Sequence, residues 1–483
     1  MKKNIVVGLH TVHHDGSITT YDLENKEFKY LKFERLTEVK HQHHNNLDSW
    51  IKYLNHLGYK IEDVESIFLV NCSNILFNID TSNVAGNLKK KIFLIDHHTA
   101  HHFSLNSINS LILDNIGSQY ETVSIFKKNK CVDKFGAVRT QSLGHSLNFL
   151  WNLWFMGKPD GRDRAGHTMA LAAFGKDFSD KITRQDLVKD EERLKDFVEK
   201  NKQISYENNC NNYVCSLHYY WFKKVKNILN KHFNKKSYLE LSGGVGENII
   251  LNTLLKKEFI NFHPSPHCGD EGTSIGALRF GLRNVYNVRS KINILNLHQH
   301  DDNHGYASLK TIQKTAQYLK EGKLIMWSQG WGEVGPRALG FRSILMDPCV
   351  KNAKQVINDK IKKRIWFRPY GASVPTESYK DYFDLGFESP WMLYQAKVKN
   401  PVKFKNITHA DGTCRIQTVD INHNPSYLKL LKTFGKLSGY PVLINTSMNL
   451  PGKPIVGTKK QAKIMFDNSQ ADVLVMGDEI HIK

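Results

Sequence analysis

Long apolar runs are absent from this chain of 483 residues, and cysteines are few. No stretch of about 18 apolar residues occurs, so we expect no membrane-spanning helix. The seven cysteines are scattered, and only Cys210 and Cys215 lie close together, which argues against a disulfide framework or a zinc site. The apolar run near the N-terminus is too short for a signal peptide and predicts a first strand. Together these absences predict a reduced, cytoplasmic protein.

Acidic residues are also in deficit. The chain has 67 Lys and Arg against 47 Asp and Glu, a formal net charge of +20. A basic protein of this kind binds phosphorylated small molecules, nucleic acid or both. The alternative is a Lys-rich compositional bias without meaning for binding. The hydrophobic content of 40% is enough for packed cores, and the length predicts two or three domains.

Strand-like runs alternate with helical stretches and end in Gly or Asp turns. Examples are "NIVVGLH", "ESIFLVNC", "KIFLIDHH", "NSLILDNIGS" and "YLELSGGVG". This alternation predicts an α/β fold with sites at the strand ends. A polar stretch, "LNLHQHDDNHGYASLK", precedes a second α/β pattern. We therefore predict a domain boundary near residue 302, with domains at 1–302 and 303–483.

The stretch "LIDHHTAHHFS" holds four histidines in eleven residues. His97 and His101 are four apart, as are His98 and His102, which on a helix suits two ligands of one ion. With 23 histidines in the chain, chance clustering is the alternative.

Several turns that follow strands combine glycine with Asp or Asn. They are "HHDGS", "LILDNIGS", "LSGGVGENIILN" and "HCGDEGTSIGAL". Together with the histidines they predict an actin-like, ribonuclease-H-type nucleotide cleft whose metal ligands are His97, His101, Asp114 and Asp270. Mixed His and Asp ligation suits Fe(II), Mn(II) or Zn better than Ca or Mg. Backbone N–H groups at such turns favour phosphate, so we predict nucleotide contacts at Ser242, Gly243, Gly244, Asn248 and Gly269.

The second half carries its own candidate anion site. The stretches "GPRALGFRSI", "NDKIKKRIWFRPYGAS" and "LINTSMNLPGKPIV" are rich in Arg, Lys, Asn, Thr and Ser. Arginine binds phosphate in a bidentate way, and Trp366 and Phe367 among the arginines are unusual for a solvated helix face. We favour a phosphate pocket over that alternative.

These stretches, in this order, resemble the O-carbamoyltransferase family, whose members modify nodulation factors and antibiotics. Further matching stretches are "ERLTEVKH", "SLGHSLNFLWNLWFMG", "GPRALGFRSILMDP", "IKKRIWFRPYGASV" and "THADGTCRIQTV". The resemblance spans nearly the whole chain, and its "GPRALGxRSIL" and "NTSxN" motifs are very specific.

The resemblance implies an N-terminal domain of the tRNA threonylcarbamoyl transferase type and a C-terminal domain of the threonylcarbamoyl-AMP synthase type. Carbamoyl phosphate and ATP would form carbamoyl-AMP in the C-terminal domain, and the carbamoyl group would then move to a hydroxyl at the N-terminal metal site. The expected anion-binding residues are Arg337, Arg342, Lys362, Arg364 and Arg368. The residues expected to contact carbamoyl or adenylate atoms are Asn445, Thr446, Ser447 and Asn449. His14 and Asp15 are the candidates for the general base. His98 and His102 are expected to be structural or to support the metal ligands without binding the metal.

The chain departs from the family pattern at three places. Ala165-Gly166-His167 replaces the usual Glu-Gly-Lys, Met448 replaces an aromatic residue, and Lys453 replaces an acid. The first change puts the acceptor or nucleotide contacts in doubt.

The sequence leaves the acceptor open. The net charge favours a hydroxymethylated pyrimidine in viral-type DNA, such as 5-hydroxymethylcytosine or hydroxymethyluracil. The stretches "HYYWFKKVKN" and "WNLWFMGKPDGRDR" could then contact the backbone and stack a flipped base, although core helices with basic ends explain them slightly better. The alternatives are a sugar, antibiotic or free nucleotide as acceptor, or a nucleotide sensor without catalysis.

Overall fold

The structure, a computed structural model, describes residues 3–11, 14–42, 47–71, 91–136, 142–154, 164–181, 206–289, 298–299 and 302–483. The strands are β1 Ile5–His10, β2 Ser17–Asp22, β3 Glu27–Lys32, β4 Val64–Asn71, β5 Ile92–Asp96, β6 Ser110–Leu113, β7 Val123–Lys127, β8 Lys130–Phe135, β9 Leu239–Ser242, β10 Phe262–Pro264, β11 His298–Gln299, β12 Ile325–Ser328, β13 Arg342–Met346, β14 Gly371–Pro375, β15 Phe383–Asp384, β16 Tyr394–Val398, β17 Thr413–Val419, β18 Leu443–Ser447, β19 Val473–Met476 and β20 Glu479–Ile482.

Helices connect these strands, which confirms the predicted mixed α/β class. The α-helices are α1 Phe33–Thr37, α2 Ile51–His56, α3 His97–Ser104, α4 Leu143–Trp154, α5 Arg164–Leu171, α6 Tyr206–His232, α7 Ile249–Glu258, α8 Thr273–Asn284, α9 Leu309–Lys320, α10 Ala353–Ile357, α11 Tyr379–Tyr382, α12 Pro425–Ser438 and α13 Lys459–Asp467. Among the described residues, no helix combines the length and apolar character needed to cross a bilayer.

Two sheets in the first part of the chain share one strand order. In the first, β3, β2 and β1 pair antiparallel, and β4 and β5 add in parallel beyond β1. In the second, β8, β7 and β6 pair antiparallel, and β9 and β10 add in parallel beyond β6. The first sheet also has β11 beside β3. The same layout therefore occurs twice within residues 5–299.

The third sheet is formed only by strands that follow residue 302. Its nine strands run in the order β15-β16-β17-β14-β18-β13-β12-β19-β20. Its apolar core includes fully buried Trp327, Tyr370 and Tyr427, with helices α9 and α12 packed together on one side. The loops at its strand ends carry the arginines of "GPRAL" and "RIWFRP".

Two glycines allow close approach of the elements around the metal-ligand candidates. A Cβ at Gly8 of β1 would lie 2.1 Å from the Ser274 carbonyl oxygen of α8. A Cβ at Gly276 of α8 would lie 1.7 Å from the Ala100 carbonyl oxygen of α3. Only glycine allows these backbone approaches, because any side chain would force the helices apart. Helix α3 is thereby held directly against α8.

Arg35 joins the first part of the chain to the third sheet's loops. Its buried guanidinium donates to the carbonyl oxygens of Ile455, Val456 and Glu333, at 2.7, 3.1 and 3.1 Å. Charge-assisted hydrogen bonds of this kind fix orientation as well as contributing stability. The contact places the N-terminal strands next to the arginine-bearing loops.

Arg342 has a different place from the one predicted. Its side chain is fully buried, and its guanidinium donates to carbonyl oxygens from four separate segments of the chain. These acceptors are Gln329, Phe341, Asp302, Gly330 and Gly457. With its donors directed at the backbone, Arg342 does not face a phosphate. The prediction that it binds substrate is corrected to a structural role.

We expect Arg342→Met to lower the free energy of unfolding by about 2–4 kcal/mol, because it leaves buried carbonyls without donors. Urea unfolding followed by circular dichroism measures the change. Lys463→Met, at an exposed helix position, is the control and should shift the midpoint little. An Arg342→Met protein as stable as wild type would contradict the structural role.

Candidate active site

Four predicted metal ligands meet in one buried cluster. His97 Nε2 lies 3.0 Å from Asp114 Oδ2 and 3.4 Å from Asp270 Oδ1. His101 Nε2 lies 3.2 Å from Asp114 Oδ2 and 3.4 Å from Asp270 Oδ1. The four ligand atoms lie within 4.8 Å of one another. The structure thus brings together residues separated by up to 173 positions in the chain.

The local folding of three elements places these side chains. Strand β5 runs directly into α3, whose first turn is capped by Asp96 accepting from the Thr99 N–H at 2.8 Å. Helical spacing then puts His97 and His101 on one face. Asp114 directly follows β6, and Asp270 lies three residues before α8. The close packing of α3 on α8 completes the cluster.

Polar partners orient the histidine rings. His101 Nδ1 lies 2.9 Å from Ser242 Oγ, so its Nε2 faces the carboxylates. His98 and His102 instead pair with Ser124 and Ser110, each at 2.7 Å. Burial lowers the pKa of His98 to about 3 and that of His102 to about 4, which keeps both rings neutral. They support α3 from the side away from the cluster.

The donor set fits a divalent transition metal. Burial raises the pKa of Asp114, but His101 and His97 outweigh it and hold this pKa well below its usual range. The pKa of Asp270 is also held well below its range, against burial, chiefly by His14 and His97. His101 Nε2 is buried and makes no hydrogen bond of good geometry with any described residue. Two ionised carboxylates beside two imidazole nitrogens are suitable ligands for such an ion.

The predicted base pair lies beside this cluster. His14 Nδ1 is 2.9 Å from Asp15 Oδ2 and 3.6 Å from Asp270 Oδ2. Asp15 also pairs with Lys32 at 2.8 Å and with His41 at 2.9 Å. Burial lowers the pKa of His14, but Asp270, Asp15 and Asp114 raise it to about 10. No sequence motif pointed to Lys32, whose buried ammonium group also pairs with Glu34 at 3.1 Å.

Arginines of the second half approach the same region. Arg337 donates to the Glu247 carbonyl oxygen at 3.1 Å and pairs with its carboxylate at 3.2 Å. Arg368 donates to His167 Nε2 at 2.8 Å, so the departure from Glu-Gly-Lys places an imidazole against an arginine. The Arg364 guanidinium lies 5.1 Å from the centroid of the Tyr370 ring.

Sequence reasoning did not assign a role to Arg415, although its motif "THADGTCRIQTV" was recognised. Burial lowers the pKa of Arg415 well below its usual value, and the nearby Arg337, Arg364 and Arg368 lower it further. Its Nε is buried and has no hydrogen-bond partner among the described residues. The identity of its neighbours depends on the pairing of β16 with β17, which the motif alone does not reveal.

The predicted adenylate or carbamoyl contacts divide into two groups. Lys362 Nζ donates to the Ser447 carbonyl oxygen at 2.8 Å and to Asn449 Oδ1 at 2.7 Å. Asn445 is fully buried and donates to Ala338, Ser373 and Gln417, while Thr446 is also buried beside it. The first group forms one hydrogen-bonded loop, and the second holds the strands of the third sheet together.

The glycine turn after β9 contains the predicted nucleotide contacts Ser242, Gly243, Gly244 and Asn248. The Gly244 N–H donates to Asp114 Oδ1 at 3.3 Å, and Asn248 caps α7 through the N–H groups of Ile250 and Leu251. Gly243 has φ of +97°, and a Cβ there would lie 2.1 Å from the Leu113 carbonyl oxygen. Ser242 contacts His101 as described. The turn after β9 therefore supports the metal-ligand candidates, and its residues Gly244 and Asn248 also line a cavity.

One cavity of about 640 Å³ extends from Asp270 of the histidine–aspartate cluster to the arginines. The predicted site residues that line it are His14, Asp15, Gly244, Asn248, Gly269, Asp270, Arg337 and Arg368. Arg415, Glu247, His409 and Ala173 also line it. Residues from both parts of the chain thus share a single space large enough for a small organic molecule.

The proposed DNA-contact stretch in α6 does not offer a stacking surface at its tryptophan. Trp221 is buried in the core formed with Val225 and Leu229. Lys223 pairs with Asp180 at 2.6 Å, and Lys226 pairs with Glu258 at 2.8 Å. The stretch is a core helix with basic ends, the alternative explanation from the sequence. Most of the other stretch, at 155–163, lies outside the described residues.

Comparison with known proteins identifies the second part of the chain. Residues 316–483 match the family described as carbamoyltransferase C-terminus. A 3'-hydroxymethylcephem-O-carbamoyltransferase of Amycolatopsis lactamdurans is 28% identical over 67% of this chain and 65% of its own length. Nodulation protein NolO of Bradyrhizobium diazoefficiens is 32% identical over 49% of this chain and 48% of its own. An uncharacterized protein of Methanocaldococcus jannaschii is 27% identical over 80% of this chain and 73% of its own.

Solved structures give a weaker likeness. HypF in its phosphate- and nucleotide-bound form aligns with a TM-score of 0.38 at 12% identity, covering 59% of this chain and 47% of its own. The activator of a 2-hydroxyisocaproyl-CoA dehydratase from Clostridium difficile aligns with a TM-score of 0.37.

Proposed function

We propose that this chain, which belongs to the O-carbamoyltransferase family, transfers a carbamoyl group from carbamoyl phosphate to a hydroxyl group in an ATP-dependent reaction. The observation that carries the proposal is the shared cavity, which joins an arginine group to a histidine–aspartate cluster. One end is suited to anions and the other to activating a hydroxyl group.

Two domains would divide this work. We assign residues 1–302 to a duplicated, actin-like domain of the tRNA threonylcarbamoyl transferase type, supported by the strand order that occurs twice there. We assign residues 303–483 to a domain of the threonylcarbamoyl-AMP synthase type, supported by the third sheet and the family match. The cavity would lie where these domains meet.

The first step would form carbamoyl-AMP beside Arg415, Arg337 and Arg368. Carbamoyl phosphate and water give carbamate and phosphate, and carbamate displaces pyrophosphate from the α-phosphorus of ATP. Apart from water, every species in this step is an anion. A positively charged pocket binds such species and stabilises the charge of their transition states. The Nε atoms of Arg415 and Arg337 are buried and have no hydrogen-bond partner among the described residues, so no protein acceptor there competes for these two donors.

In the second step the acceptor hydroxyl would attack the carbamoyl carbon, and AMP would leave. His97, His101, Asp114 and Asp270 would hold a divalent ion, Fe(II) by preference, that acts as a Lewis acid when bound. Neutralising Asp114 and Asp270 removes two of the charges that raise the pKa of His14. His14 would then take the hydroxyl proton, with Asp15 orienting its ring through the 2.9 Å contact.

The acceptor that the geometry supports best is a hydroxymethyl group on a small molecule. The cavity volume suits such a compound, and the cephem relative is named for a hydroxymethyl acceptor. A hydroxymethylpyrimidine in DNA is the second candidate, favoured by the net charge of +20.

Product analysis by mass spectrometry tests this function. The purified protein is given carbamoyl phosphate, ATP and Fe(II), with 5-hydroxymethyl-2'-deoxycytidine, DNA containing the same base, or a simple sugar. We expect release of AMP and pyrophosphate and a gain of one carbamoyl group on the free nucleoside. Absence of AMP release under all conditions would refute the proposed reaction.

Salt dependence separates the two acceptors. We expect transfer to a small acceptor to change little between 50 and 200 mM salt, since few counterions are released. Transfer to DNA through six or more phosphate contacts would fall by roughly 10³-fold over that range. A steep fall with DNA, together with no transfer to the nucleoside, would establish DNA as the acceptor instead.

A further inference from the structure

An aromatic group with members from both parts of the chain lies next to the shared cavity. Trp366 is 70% exposed, an unusual degree for the largest side chain. Its ring contacts that of Phe174, which is 37% exposed, with centroids 5.7 Å apart and planes at 72°. Phe174 in turn contacts His409 at 5.3 Å. His409 lines the cavity, so the group continues from the cavity wall to solvent.

Neighbouring residues hold Trp366, Phe174 and His409, here called the aromatic rim, in place. Phe367, next in sequence to Trp366, is buried against Leu171 of α5. His409 Nε2 donates to the Phe367 carbonyl oxygen at 3.0 Å, and burial lowers the pKa of His409, so its ring is neutral. The Trp366 ring also makes an edge contact with Phe367 at 5.7 Å. The Trp366 ring is thus held by contacts with Phe367 and Phe174, while much of its surface remains exposed to solvent.

We propose that Trp366 and Phe174 form a stacking subsite for a planar ring in the acceptor. Aromatic side chains bind planar rings through their faces, without reading a particular hydrogen-bond pattern. His409 lines the cavity in which the adenylate would form and contacts Phe174, so a ring stacked on Trp366 and Phe174 would lie beside that cavity. The inference rests on the proposed function, because it identifies the acceptor as a ring that bears the hydroxyl group.

Equilibrium binding tests the subsite without requiring catalysis. Isothermal titration with 5-hydroxymethyl-2'-deoxycytidine compares wild type with Trp366→Ala, Trp366→Phe and Phe174→Ala. Loss of one stacking partner should weaken nucleoside binding roughly 5- to 100-fold in Trp366→Ala. Trp366→Phe should recover most of the affinity, because a smaller aromatic face remains.

Two matched controls make the result specific. Val402→Ala removes an 85% exposed apolar side chain elsewhere on the second domain and should leave nucleoside binding unchanged. Cyclohexylmethanol carries a hydroxymethyl group on a ring that is not planar, and its binding should not distinguish wild type from Trp366→Ala. Comparing the affinity for the nucleoside with that for an oligonucleotide containing the same base shows whether the planar ring belongs to a free molecule or to DNA.

Several outcomes would overturn the subsite. They are nucleoside affinity unchanged in Trp366→Ala, no nucleoside binding by wild type, or a loss of ATP affinity as large as the loss of nucleoside affinity. The last would place adenine on the rim instead. Release of AMP by wild type is measured separately, so failure of the carbamoyl transfer proposal and failure of the stacking proposal are distinguishable.

Discussion

Replacing Arg415 with alanine should lower the rate of the proposed carbamoyl-AMP formation about 1000-fold, the largest effect that we expect from one residue after position 302. Its Nε is buried without a partner among the described residues, and three further arginines surround it. Losing a preorganised cation that faces a multiply charged anion removes transition-state stabilisation of this size. Release of phosphate and pyrophosphate from carbamoyl phosphate and ATP, without acceptor, is the measurement.

Two variants control this experiment. Arg415→Lys keeps the charge but loses the bidentate fork, so it should recover only part of the rate. Arg289→Ala removes an exposed arginine that is not part of the cavity lining and should have wild-type activity. A folded Arg415→Ala protein that forms carbamoyl-AMP at the wild-type rate would contradict the anion site.

His101→Ala should lose metal and lower transfer to the acceptor at least about 100-fold, while carbamoyl-AMP formation continues. The imidazole is one of four groups whose ligand atoms lie within 4.8 Å, so its removal breaks the donor set. Even changes to residues that only support a metal ligand cost 10–100-fold, and loss of a ligand costs more. Metal analysis of the purified protein and separate assays of the two steps check this prediction.

The matched control is His102→Gln on the next position of α3. His102 pairs with Ser110 and stacks on Phe126 at 4.2 Å, away from the cluster. This variant should keep its metal, even if its unfolding midpoint falls. Wild-type metal content in His101→Ala would refute the ligand assignment, and loss of both steps in a folded His101→Ala protein would refute the two-site division.

The predicted spacing and turn chemistry account for much of the site. His97 and His101 belong on one helix face because their spacing is four. Asp114 ends a predicted strand, and Asp270 lies between glycines ahead of a predicted helix. The proximity of these four was a prediction from fold type, and the structure brings them together. The role of Arg342 differed from the prediction because an arginine can either donate to backbone carbonyl groups or bind an anion. Which role it takes depends on whether carbonyls or a cavity surround it.

Local sequence also could not assign the aromatic and basic stretches. "HYYWFKKVKN" has the same composition as a nucleic-acid contact surface and as a core helix, and only the packing of Trp221 on the second sheet's core decides between them. "RIWFRP" is the opposite case, because its tryptophan is exposed and contacts Phe174. Burial depends on neighbours from distant segments, which periodicity does not report.

The sequence by itself determined the mixed α/β class and the resemblance to the O-carbamoyltransferase family, and it supplied the candidate metal ligands, because these depend on residue types at short spacing. Only the tertiary structure decided which arginines face the cavity, which histidine nitrogens face the carboxylates, and that both groups share one space. It also revealed the strand order that occurs twice, which no short repeat in the sequence indicates. The physical reason is that these properties arise from contacts such as Arg35 with Ile455, between segments far apart in the chain.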